Sequence, residues 1–165
     1  MSSSDRRGFL LLAAAAALAG CGFTPAYGPG SAARGLQGRV RIDAPEDKDG
    51  FDFVARLEER LGRPGPAAYG LSYRIETEAA GLAIAPDNAI IRYQLSGRIE
   101  YRLRDLASDR VLSEGVVRSF TAYSASGTPV ETAASEADAH HRLMRILADQ
   151  IVTRLIATAP SWAAA

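Results

Sequence analysis

Runs of alternating apolar and polar side chains between residues 69 and 123 constrain this chain more than any other feature. Leu71, Tyr73, Ile75 and Thr77 fall on one side of a strand, and Ser72, Arg74, Glu76 and Glu78 on the other. A longer run follows, in which Ile91, Tyr93, Leu95, Ile99, Tyr101 and Leu103 oppose Arg92, Gln94, Ser96, Arg98, Glu100, Arg102 and Arg104. A period of two is the signature of a strand with one buried face. Gly97 interrupts the apolar side, where a bulge or a close helix contact would account for it. Residues 105–109 read as a turn and 111–123 as the returning strand, whose alternation slips at Gly115 as a bulge would make it. Short connections make these three strands an antiparallel meander.

The flanking segments supply the rest of a layered fold. Leu36, Val40 and Ile42 alternate imperfectly with Gln37, Arg39 and Arg41, which predicts a first short strand ending near Ala44 and Pro45. After a charged loop at residues 46–50, with Asp49 as the expected N-cap, Phe53, Val54, Leu57 and Leu61 follow helical spacing. Arg56, Glu58, Glu59 and Arg60 then point mostly outward, and the Gly62-Arg63-Pro64 sequence stops the helix. Near the C-terminus, Thr128, Pro129 and Glu131 form a capping signal. Behind it, Ala137, one of His140 and His141, Met144, Leu147, Ala148, Ile151 and Leu155 form an apolar stripe. The order strand, helix, three strands, helix predicts an α+β fold: a four-stranded, mostly antiparallel sheet with two helices packed on one face.

The N-terminus carries an export signal. Arg6 and Arg7 precede an uncharged apolar run at residues 9–19, which ends in small residues before Cys21. That run falls short of the ~20 apolar residues that span a bilayer. Leu18-Ala19-Gly20-Cys21 resembles the lipobox of bacterial lipoproteins, where cleavage after Gly20 leaves an acylated cysteine as the first residue. Acyl chains of the palmitate type hold a protein at a membrane through about 0.8 kcal/mol per buried methylene. Ser4, Asp5, Arg6, Arg7 and Gly8 also resemble a twin-arginine export motif, so ordinary secretion and twin-arginine export both fit. The resulting division is a signal peptide at 1–20, a lipidated tether at 21–38, a folded domain at 39–158 and a loose tail at 159–165. Phe23 and Tyr27 in the tether suit either the domain surface or the membrane interface.

Charge and residue inventory narrow the function. The first 20 residues hold two arginines and one aspartate of the 19 basic and 19 acidic residues, so the remainder carries 17 and 18. A nearly neutral domain has no field for a polyanion, which excludes nucleic acid as a partner class. Cys21 is the single cysteine, so its acylation leaves none for disulfides or a cysteine metal site. His140 and His141 adjoin each other on a helix and diverge by roughly 100°, the wrong spacing for one metal ion. No nucleophile elbow, phosphate loop or zinc-protease motif is present. The chain therefore reads as no enzyme, with no cofactor and no metal. Its sharper feature is the polar face of the long strand, where Arg92, Arg98, Arg102 and Arg104 align, joined by Arg74. Guanidinium groups in a row suit phosphate or carboxylate, as on a glycolipid or an acidic partner. A solvated outer face balanced by Glu76, Glu78 and Glu100 is the plainer reading.

Several short motifs together resemble the LPS-assembly lipoprotein LptE family. They are Cys21-Gly22-Phe23 with Pro25 and Tyr27, Tyr123-Ser124-Ala125-Ser126 before the last helix, Ser135-Glu136-Ala137-Asp138-Ala139, Arg142, and Leu147-Ala148-Asp149-Gln150-Ile151 with Arg154 and Leu155. The resemblance implies a two-helix, four-strand sandwich on an outer-membrane lipid anchor, facing the periplasm. It further implies an LptD-type outer-membrane β-barrel as partner, with the domain plugging its lumen, and lipopolysaccharide as the transported lipid. Gly22 after the cysteine agrees with outer-membrane sorting. A barrel interior is polar, which a near-neutral domain with a polar sheet face fills without exposing an apolar patch. An auxiliary lipoprotein of an envelope lipid-transport ABC system is the competing assignment.

Overall fold

A computed structural model describes residues 28, 31–84 and 90–162. The lipobox cysteine Cys21, the export signal and half of the tether lie outside these residues, as do residues 85–89 and 163–165. The element order is α1 (Ala32–Leu36), β1 (Val40–Ile42), α2 (Lys48–Leu61), β2 (Tyr69–Ile84), β3 (Ile90–Asp105), β4 (Val111–Ser124), α3 (Pro129–Thr158) and a 3-10 turn at Ala159–Ser161. The strands lie in the order β1-β2-β3-β4. The expected antiparallel meander is present in β2, β3 and β4. β1 runs parallel to β2 and pairs only Val40 to Ile42 with Tyr69 to Leu71, so the sheet is mixed.

The two long helices cover one face, as the single-sided alternation requires. Phe53, Leu57 and Leu61 of α2 and Leu143, Met144, Leu147, Ala148, Ile151, Val152 and Leu155 of α3 are buried against Leu71, Leu95, Ile99, Leu103 and Val117. Gly97 permits this packing. A Cβ there would stand 2.9 Å from Leu143 Cδ2 and 2.9 Å from Leu147 Cδ1, closer than carbon atoms approach, so the close helix contact explains the glycine. α3 opens with the expected capping box, in which Thr128 and Glu131 satisfy each other's backbone N–H groups. Gly62, at φ 78°, ends α2 as a residue without a Cβ can.

Five expectations need correction. First, a third helix, α1, occupies part of the segment read as tether, and its Ala33 and Leu36 enter the core. Second, the α2 N-cap is Asp47, whose side chain accepts from Gly50 N–H at 2.7 Å; Asp49 lies within the first turn and faces His140. Third, the irregularity in β4 sits near Leu112, where Leu103 pairs with Ser113 but Arg104 with Val111, while Gly115 stays in register beneath Tyr101. Fourth, the α3 stripe carries Ala139 and not the exposed Ala137. Fifth, the C-terminal residues are not all loose: Ala159 is buried, and Trp162 packs edge-on to Tyr69 with ring centroids 5.5 Å apart. Among the described residues, no helix is long and apolar enough to cross a membrane.

Candidate functional site

The face of the sheet opposite the helices is the surface on which the arginines gather. Even-numbered residues of β2, β3 and β4 project there, and the register sets them in cross-strand rows. Ser72, Arg102 and Glu114 form one row, then Arg74, Glu100 and Val116, then Glu76, Arg98 and Arg118, then Glu78, Ser96 and Phe120. Opposite charges therefore sit beside one another by virtue of strand pairing alone.

Three of the four expected site arginines are engaged by carboxylates. Arg98 donates to Glu76 at 3.1 Å and also to Glu100. These bonds, Glu100 first, hold its guanidinium above its ordinary range. Arg102 donates to Glu114 at 2.9 Å, and Arg104 to Asp109 at 3.1 Å. Arg92 stands apart near the start of β3, opposite Ala83 and Ser124 in the register. Twelve residues separate Arg92 from Arg104, roughly 40 Å along an extended strand, so the four make a row and not a pocket. Arg92, Arg74 and Arg118 have no carboxylate partner among the described residues.

Arg118 and Phe120 belong to this face and were not singled out from the sequence. Placing the β4 irregularity at Leu112 restores an even-numbered phase that would have found both. Phe120 is 65 % exposed beside Arg118, Glu78 and Ser96, in a shallow depression of about 650 Å³. A second depression, about 710 Å³, is lined by Arg74, Glu100, Arg102 and Glu114. Exposed ion pairs of this kind are screened by water and hold their partners loosely, so an incoming phosphate can compete for the guanidinium groups.

The two histidines play no joint part. His140 Nδ1 lies 2.9 Å from Asp49 and His141 Nδ1 3.3 Å from Asp52, each tying α3 to α2 separately. The helix interface also carries Arg56, which donates to Asp149 at 3.0 and 2.8 Å. These contacts join the helices and leave the open sheet face to solvent.

The fold recurs in solved lipoproteins. A protein of Caulobacter crescentus CB15 described as a candidate lipoprotein is similar with a TM-score of 0.66 and 21% identity, over 78% of this chain and 96% of that one. Rare lipoprotein B of Shewanella oneidensis is similar with a TM-score of 0.56 and 14% identity, over 73% and 93%. Lipoprotein B of Nitrosomonas europaea gives 0.53 and 17%, over 79% and 88%. No curated protein sequence matches this chain. The family described as LptE: Lipopolysaccharide-assembly matches residues 38–155, from two residues before β1 through the last buried leucine of α3. With the sheet, α2, nearly all of α3 and the open arginine face inside that match, the chain belongs to the LptE lipopolysaccharide-assembly family.

Proposed function

We propose that this protein is a non-catalytic outer-membrane lipoprotein that plugs and supports an LptD-type β-barrel while lipopolysaccharide is assembled at the outer membrane. The family match over residues 38–155 carries this reading, because it spans the whole sheet, α2 and all but the last turn of α3. In this account residues 1–20 are removed as a signal peptide and Cys21 carries the acyl chains. Residues 22–30 lead from the membrane to α1, which starts the folded domain. A solvated sheet face rich in paired charges fits a polar barrel lumen, whereas the apolar face is already covered by α2 and α3.

The open face is the proposed contact for lipopolysaccharide phosphates or for acidic groups of the barrel. Arg92, Arg98, Arg102 and Arg104 line it along β3, flanked by Arg74 and Arg118. Arg92, Arg74 and Arg118 present the guanidinium groups with no carboxylate to displace among the described residues. Lipopolysaccharide capture by the purified, acylated chain tests this. Arg92→Glu, Arg98→Glu and Arg118→Glu, singly and together, are expected to weaken capture progressively with an unchanged far-UV spectrum. Undiminished capture by the triple variant would contradict the assignment of the face.

A further inference from the structure

The sheet has two long edges, and the chain treats them differently. On β4 the outward carbonyls of Ala122, Arg118 and Val116 accept hydrogen bonds from Arg142 Nη2 at 3.2 Å, Gln150 Nε2 at 3.4 Å and Arg154 Nη1 at 2.7 Å. All three donors come from α3, and each occupies an acceptor that an added strand would need. This is one way of blunting an edge against unwanted pairing.

The other edge is left open. β1 covers β2 only as far as Leu71, whose carbonyl accepts from Asp43 N–H at 3.0 Å. Beyond that point the chain turns away into α2. Because backbone groups alternate sides along a strand, Tyr73, Ile75, Thr77 and Ala79 direct N–H and C=O to the same side as Leu71. Pairing with β3 runs without a register shift through this stretch, so the alternation holds. Among the described residues, none of these outward backbone groups has a hydrogen-bond partner.

Beside the bare edge, the 43–47 loop leaves a cleft of about 520 Å³. Asp43, Glu46, Asp47 and Glu76 contribute four carboxylates to it, and Arg74 a single guanidinium. Their field reaches the strand: burial, then Asp47, Asp43 and Glu46, push the Tyr73 hydroxyl above its ordinary range. An unpaired strand edge supplies main-chain affinity, and neighbouring side chains supply selectivity.

We infer that the β2 edge over residues 73–79 is a strand-addition site for a basic, extended segment of a partner protein. The segment pairs with the outward backbone groups of Tyr73, Ile75, Thr77 and Ala79, and its lysine or arginine side chains meet Asp43, Glu46 and Asp47. A second copy of this chain is a poor occupant, because its own β2 edge would bring the same carboxylates against the first set. A phosphorylated lipid is repelled for the same reason. The site borders the arginine face at Arg74 and Glu76, but its edge amides and the carboxylates of Asp43, Glu46 and Asp47 lie outside that face, so a loss of one function is distinguishable from a loss of the other.

The test uses the full acylated chain in detergent micelles and two eight-residue peptides, one alternating lysine with threonine and the other glutamate with threonine. Binding is followed by calorimetry and by residue-resolved amide exchange. The lysine peptide is expected to slow exchange at Tyr73, Ile75, Thr77 and Ala79, and the glutamate peptide to leave it unchanged. Asp43→Lys with Glu46→Lys is expected to weaken the lysine peptide at least tenfold. Thr77→Pro, which removes one edge donor, is expected to abolish binding. Should that variant fail to fold, the charge-reversal pair carries the test alone. Equal binding of both peptides, protection at other amides, or full binding by the charge-reversed chain would overturn the inference. Concentration-dependent dimerisation that protects the same amides without peptide would overturn it in favour of a second copy.

Discussion

At Gly97 a single missing carbon sets how closely α3 lies on the sheet. Leu143 and Leu147 fill the space that a Cβ would take, and both are fully buried with nowhere to retreat. Gly97→Ala is expected to destabilise the domain by about 1–3 kcal/mol, the usual cost of overpacking a core. Trp162, the single tryptophan, is a ready fluorescence probe for urea unfolding, and the midpoint should fall with an unchanged slope. An unchanged midpoint would mean that the helix can shift and the close contact is not needed. This glycine was legible in the sequence because it broke an otherwise regular apolar face. Arg56 was not. It sits among charges on a helix flank, and its bidentate partner Asp149 lies 93 residues away, beyond any local pattern.

At the scale of elements, the long ones announced themselves and the short ones did not. β2 and β3 each run for 16 residues, and α3 for 30, so periodicity had many turns in which to accumulate. Their caps are chemical signals as well, Thr128 with Glu131 at the start of α3 and Gly62 at the end of α2. α1 has five residues in a stretch rich in glycine, alanine and proline, and it is helical because it packs on α3 and the 3-10 turn. Leu36 tests that dependence. Leu36→Ala is expected to cost about 2–4 kcal/mol and to lower the urea midpoint read from Trp162 emission. A change within about 0.5 kcal/mol, the range of a surface substitution, would instead place α1 with the tether. The missed β4 irregularity has a similar cause. Both Leu112 and Val111 are apolar, so the sequence alone cannot say which of them steps out of the alternation.

For the whole molecule, the charged groups predict a stability plateau bounded on both sides. The Ser108 backbone N–H holds Asp105 below the usual carboxylate range, the Thr128 backbone N–H does so for Glu131, and Arg56 for Glu59. A carboxylate lowered on folding contributes stability that is present above its unfolded value of about 4 and is lost as pH falls through the folded value. Burial raises the Tyr73 and Tyr123 hydroxyls. Their contribution is present below an unfolded value of about 10 and is lost as pH rises beyond it. Urea midpoints measured from pH 3 to 11 should therefore be flat in the middle and fall at both ends. A midpoint still rising below pH 4 would contradict the assigned contacts.

The same scale decides function. Family membership was legible because its short motifs fall at both ends of the chain, around Cys21 and along α3. The state of the arginine face was not, since pairing of Arg98, Arg102 and Arg104 with carboxylates depends on register and on the β3–β4 turn. The most direct test of the central claim is an affinity pull-down of the C-terminally tagged wild-type chain from detergent-solubilised membranes, with the co-purifying proteins identified and quantified. The plug account predicts a large outer-membrane β-barrel recovered in about equal amount. Recovery of inner-membrane transporter subunits, or of no stable partner, would contradict it.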